Sequence, residues 1–202
     1  MLRRVVSWSL YPFLLAASLC ANVLGIRAGY SPTMVVTATV LVASAPQLLA
    51  QRLMPYERRW AGSPRDFGLD LLHLLNTAFT TEAWRALTLG GLVWGAAQLS
   101  ALVGGSLWPV FLPWWAQFAF ALIIGDFGAY WVHRSLHRSD LLWRLHALHH
   151  SSERLHLLSS GRNHPMNAIL AYGSQILPIT LLGAPVEAIA LVSVFPAVNG
   201  ML

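Results

Sequence analysis

Apolar residues fall along the chain in long runs, separated by arginine-rich or glycine- and proline-containing breaks. A bilayer span needs ~20 mostly apolar residues. Val5 to Ile26 forms one such run, and about Thr33 to Met54 a second, in which Pro46 predicts a kink. Pro55 to Arg65 reads as an exposed loop. Asp66 to Arg85 has mixed polarity and predicts an amphipathic helix lying partly in the interface. A third span covers about Ala86 to Val103 and ends at Gly104-Gly105. A fourth, rich in Trp and Phe, runs from about Trp108 to Gly125. The chain is polar from Asp126 to Asn167, then apolar again from Ala168 to Leu202. Gly183-Ala184-Pro185 divides this last stretch into halves too short for full spans, which predicts a helical hairpin or a re-entrant pair. The predicted fold class is all-α: a multi-spanning membrane helical bundle of about four spans plus a C-terminal hairpin, under a histidine-rich helical cap. Its expected parts are a transmembrane region over 1–125, a histidine segment over 126–167 and a membrane hairpin over 168–202.

Composition agrees. Of 202 residues, 56% are hydrophobic and 10% charged, and mean hydropathy is +0.56. A soluble domain carries about a quarter charged residues, and such a deficit is incompatible with a water-exposed surface. The net charge of +5 comes with arginine and no lysine. A nucleic-acid binder would gather those cations on a polar face. Here they flank apolar runs, so the expected partner is the lipid bilayer and nucleic acid is excluded. Met1-Leu2-Arg3-Arg4 followed by an apolar run looks like a signal peptide without a usable small-x-small cleavage site. Leu19-Cys20 is a poor lipobox, so a retained signal-anchor is expected. With the N-terminus inside, Arg3, Arg4, Arg52, Arg58, Arg59, Arg65, Arg134, Arg138, Arg144, Arg154 and Arg162 are cytoplasmic, and Arg27 lies outside. The positive-inside rule then puts the histidine segment on the cytoplasmic face of a bacterial-type inner membrane. The single Cys20 leaves no disulfide framework and no cysteine zinc site.

Seven of the eight histidines fall between Asp126 and Asn167. His133 and His137 are four apart and share a helix face. His146, His149 and His150 follow the i, i+3, i+4 pattern, which again places three imidazoles on one side. Neutral imidazole suits Fe, Zn, Cu and Ni. Two helices offering two and three donors therefore predict chelation of one metal fully or two partially. Asp126, Tyr130, His133 and His137 form one helical stripe. Asp126 either orients a ligand imidazole or caps the helix after Gly125. His133-Arg134-Ser135-Leu136-His137 places Arg134 where a zinc protease has its general-base Glu, so proteolysis is not expected. His164 precedes Pro165, which biases it toward a turn where it lines the site, binds lipid headgroups or serves structure. His156 reaches the same face if the helix continues, and is otherwise an interfacial residue. His73, beside Asp70, reads as an interfacial helix residue.

Taken together these residues resemble the fatty acid hydroxylase / sterol desaturase superfamily of membrane histidine-box oxygenases. The resemblance rests on Asp126, Tyr130-Trp131, His133-Arg134 and His137, then Leu142-Trp143-Arg144-x-His146-x2-His149-His150-Ser151, then Arg162-x-His164-Pro165. Pro55-Tyr56-Glu57-Arg58-Arg59 and Leu182-Gly183-Ala184-Pro185 also look like family sequence, so roughly 52–202 is covered. The resemblance implies a cytoplasmic diiron centre that uses O2 and electrons from a separate donor to hydroxylate or desaturate a lipid or sterol-like substrate. It makes His133, His137, His146, His149 and His150 metal ligands, and leaves Asp126, Tyr130, His156, Arg162 and His164 as supporting or substrate-contacting candidates. The family carries another HxxHH box after its second apolar hairpin, whereas this sequence stops at Asn199-Gly200-Met201-Leu202 within an apolar stretch. A terminal carboxylate in hydrocarbon is costly. The expectation is therefore the front part of a longer protein, whose five histidines would hold one metal well and leave a diiron site half built. Trp94, Trp108, Trp114 and Trp115 read as interface anchors, with lining of a substrate path as the alternative. Two other classes compete. A haem protein would carry single histidines in separate spans, unlike this cluster. A non-catalytic metal-binding membrane scaffold would bind metal without turnover.

Overall fold

A computed structural model describes residues 2–55, 57, 64–154 and 156–199. Among them there are seven α-helices and no strand: α1 (Leu2–Arg27), α2 (Pro32–Leu53), α3 (Pro64–Val103), α4 (Trp114–Arg138), α5 (Asp140–His146), α6 (Pro165–Leu181) and α7 (Val186–Asn199). Two 3-10 turns, His149–Ser151 and Leu157–Gly161, lie between α5 and α6. Four helices are long and apolar enough to cross a membrane, over Trp8–Arg27, Pro32–Leu53, Phe67–Val103 and Trp114–Arg138. Most of the loop expected at Pro55–Arg65 lies outside the described residues.

The reversal from α1 to α2 uses Gly29 at φ 87°, a region glycine enters without Cβ strain, and Pro32 opens α2 where its missing N–H costs nothing. α2 continues through Pro46. α3 differs from the expected interfacial helix followed by a span, because it is one helix of 40 residues. At 1.5 Å per residue that is about 60 Å, roughly twice the hydrocarbon thickness. No proline interrupts it after Pro64. Thr81 and Thr88 satisfy their hydroxyls on the carbonyls of Thr77 and Trp84, at 2.9 and 2.8 Å, so the mixed polarity of its first half does not break the helix.

α4 starts at Trp114, after Pro113, and not at Trp108. Trp108 is instead a core residue, 2% exposed, whose indole N–H donates to Gln117 Oε1 at 2.7 Å. Trp94, Trp114 and Trp115 stay exposed. The hairpin expected near the C-terminus is present as α6 and α7, turning at Gly183 with φ 84°. α7 is only 14 residues long, yet it is central. Trp108, Ala121, Ile176, Ile179, Ala188 and Val192 form a core between α4, α6 and α7, while Ala43, Val194 and Val198 form another with α1 and α2. Being wrapped on both sides explains why α7 is apolar all round. α4 crosses α6 at Gly128, where a Cβ would collide with the Ser174 carbonyl. That close approach sets α6 beside the polar end of α4.

Candidate metal centre

α4 runs without interruption from the apolar bundle into the polar segment, so His133 and His137 occupy its last turns as extensions of a membrane helix. The chain leaves the helix at Ser139, φ −109° and ψ 124°. The Ser139 hydroxyl then accepts from the Leu142 N–H at 3.4 Å and caps α5, with Asp140 in the first turn of the new helix. This break folds α5 back toward α4. α5 ends at His146, but Ala147 and Leu148 keep right-handed helical angles into the 3-10 turn. The predicted one-sided grouping of His146 and His150 thus survives the change of helix type.

The two helices bring four imidazoles together. His133, His137, His146 and His150 each offer a nitrogen, and these atoms all lie within 4.8 Å of one another. His133 Nε2 and His137 Nε2 are 3.1 Å apart, as are His146 Nε2 and His150 Nε2. Imidazole–zinc bonds of ~2.1 Å would put neighbouring donors roughly 3.0–3.4 Å apart, so both pairs already sit at the spacing of adjacent ligands. Between the pairs, ring centroids of His133 and His146 are 4.7 Å apart, and those of His137 and His150 are 4.9 Å apart. His149 stands beside this group, 5.4 Å from His146 by centroids, with Nδ1 buried and without a hydrogen-bond partner. An all-imidazole donor set with an orphaned buried nitrogen at its edge fits a first-row transition metal.

His146 is the buried member, 2% exposed. Burial pushes its pKa down to about 4, the neighbouring His133, His149 and His150 add to the shift, and its bond to Asn167 opposes it. Burial and then His150 likewise lower His149. Neutral imidazole is the form a metal requires, so His146 and His149 meet little proton competition near neutral pH. His146 Nδ1 lies 3.0 Å from Asn167 Oδ1, and Asn167 Nδ2 donates to Asn163 Oδ1 at 2.6 Å. An outer partner of this kind fixes ring orientation and tautomer, leaving Nε2 for the metal. Trp143 stacks on His150 at 5.6 Å and 24°, and lies 5.3 Å from His137.

The supporting candidates are dispersed. Asp126 is exposed on α4, and among the described residues no hydrogen bond or ion pair links it to the histidines. Tyr130 accepts from Arg134 Nη1 at 2.8 Å. His164 caps α6, its Nδ1 accepting from the Met166 N–H at 3.1 Å. His156 and Arg162 both turn to Asp70 on α3. Sequence reasoning passed over Asn167, whose signal was an Asn163/Asn167 pair at helical spacing, and gave Asp70 no role although it is a carboxylate in a long apolar helix.

Residues 118–202 match the family model described as fatty acid hydroxylase. The chain is 31% identical over 191 residues to the ornithine lipid hydroxylase OlsE of Rhizobium tropici, an alignment covering 92% of this chain and 58% of that protein. It is 36% identical over 70 residues to the alkylglycerol monooxygenase of Xenopus tropicalis, covering 35% of this chain and 14% of that one. For the human alkylglycerol monooxygenase the figures are 41% over 54 residues, 25% and 12%. The chain therefore spans little more than half of the Rhizobium protein and a small part of the other two. No solved structure matches it.

Proposed function

Since the chain belongs to the fatty acid hydroxylase / sterol desaturase superfamily, we propose that it is a membrane lipid hydroxylase with a metal centre on His133, His137, His146 and His150. The observation that carries this reading is the convergence of those four imidazoles, from α4, α5 and the 3-10 turn after α5, at the end of a membrane helix. His149 would be a fifth donor from the same turn, and a second metal would need donors beyond these five. Iron is the metal we propose, since imidazole accepts it and the chain's relatives carry the names hydroxylase and monooxygenase. When bound, iron supplies the one-electron and O2-activating chemistry that side chains lack. The protein's share is placement. Asn167 holds His146, Trp143 packs against the His137 and His150 rings, and neutral His146 is ready to ligate. The apolar helices leading into the site keep a lipid tail in the bilayer while one of its C–H bonds reaches the centre. Electrons would come from a separate donor, and the arginine distribution supports a cytoplasmic face for the site.

The test is to purify the protein in detergent or nanodiscs, measure iron per chain, and supply membrane lipid, reductant and isotopically heavy O2. Heavy oxygen in the lipid, lost in His146→Ala, is the expected result. Iron without oxygen-dependent product would turn the reading to a metal-binding scaffold, and an unsaturated product without the label would make the enzyme a desaturase.

A further inference from the structure

Asp70 lies on α3, far in sequence from the histidines of the cluster, and is fully buried at 0% exposure. A carboxylate so deeply buried needs partners of opposite charge or hydrogen-bond donors close by. Arg162 Nε donates to Oδ1, and His156 Nε2 stands 2.9 Å from Oδ2, at ion-pair distance without hydrogen-bond geometry. These partners are the residues flanking the 3-10 turn Leu157–Gly161, His156 as its N-cap and Arg162 as its C-cap. One carboxylate therefore grips both ends of a five-residue turn. The same turn is held at three further points. Thr77 Oγ1 donates to the Gly161 carbonyl at 3.0 Å, Leu157 N–H donates to Gln51 Oε1 at 3.0 Å, and Gly161 sits so close to Leu74 that a Cβ would lie 2.9 Å from the Leu74 Cβ.

What the turn carries gives the grip its meaning. Arg162 is next to Asn163, which accepts from Asn167, which meets His146. We propose that Asp70 is a positioning residue of the histidine cluster: it anchors the 156–162 segment to α3, so that the Asn163–Asn167 pair holds His146 in place. This rests on the metal-centre reading for its purpose, though not for its geometry. It also gives a role to the polar residues in the first half of α3.

The experiment compares wild type with Asp70→Asn, Arg162→Lys, and Val194→Ala as a control, Val194 being 0% exposed in the α1/α2/α7 core. Each is measured for thermal midpoint, iron affinity, and the rate at which His146 of the metal-free protein reacts with diethylpyrocarbonate. Asp70→Asn is expected to weaken iron binding about tenfold, as loss of outer-sphere support does, and to expose His146 to the reagent. Arg162→Lys keeps the charge pair and recovers most of both. Val194→Ala lowers the midpoint and leaves both unchanged. Unchanged His146 protection in Asp70→Asn, or an equal loss of protection in Val194→Ala, would overturn the proposal. If wild type itself binds no iron, the metal reading falls while the reagent still decides the positioning role. If Asp70→Asn does not fold, His156→Gln removes half of the grip and leaves Arg162 paired, and the same two outcomes apply to it.

Discussion

The two halves of the candidate centre share a spacing and differ in everything around it. His133 and His137 on α4, and His146 and His150 across the α5 turn, are both four apart with Nε2 atoms 3.1 Å apart. The α4 pair is exposed and is held by its own helix backbone. In the other pair His146 is buried, bonded to Asn167, and tied through the 156–162 segment to Asp70. Helix periodicity is sufficient to pair two imidazoles. Fixing one of them in orientation takes partners from elsewhere in the chain.

If that contrast is right, His146→Ala has the largest effect. It removes a donor and leaves Asn167 Oδ1 buried without a partner, so bound iron should fall by more than about a hundredfold, the upper range for losing even an outer ligand support. Equilibrium dialysis against His133→Ala, where the loss should be smaller, breaks the comparison if the order is reversed. Next comes Asn167→Ala, expected to weaken iron about 10–100-fold with the α4 pair intact, read by the same dialysis. A smaller effect follows from acid. An unfolded histidine titrates near 6.5, whereas folded His146 titrates at about 4. Between those values the unfolded chain binds a proton that the folded chain does not, so stability of the metal-free protein falls as pH drops from about 6.5 toward 4. Thermal midpoints across that window check it, and the slope should persist in Asn167→Ala, because the Asn167 bond opposes the shift. The smallest effect belongs to Asp126→Asn, because among the described residues no hydrogen bond or ion pair joins this exposed carboxylate to the imidazoles. Iron affinity within about threefold of wild type is expected, and a tenfold loss would return Asp126 to the support of the α4 pair.

Much of the fold was legible because membrane helices announce themselves locally. The runs now seen as α1, α2 and the hairpin α6–α7 could be read from apolar length and from Gly29, Pro32 and Gly183. α3 could not, since mixed polarity over Asp66–Arg85 looks the same in an interfacial helix and in the overhanging end of a long one. Trp108 was likewise ambiguous, because an interface anchor and a core indole are the same residue until Gln117 is placed against it.

The sequence by itself determined the all-helical membrane architecture and the pairing of the histidines, since both follow from periodicities within a few turns of chain. Tertiary structure decided the rest. It chose which imidazole is buried, which residue orients it, and why a carboxylate on α3 belongs to the neighbourhood of the site. Asn167 is 21 residues from His146, and Asp70 is 92 from Arg162. Contacts at those separations have no period to read. They exist because Gly128 lets α4 and α6 approach closely, and because a buried charge holds only where packing brings its partners to it.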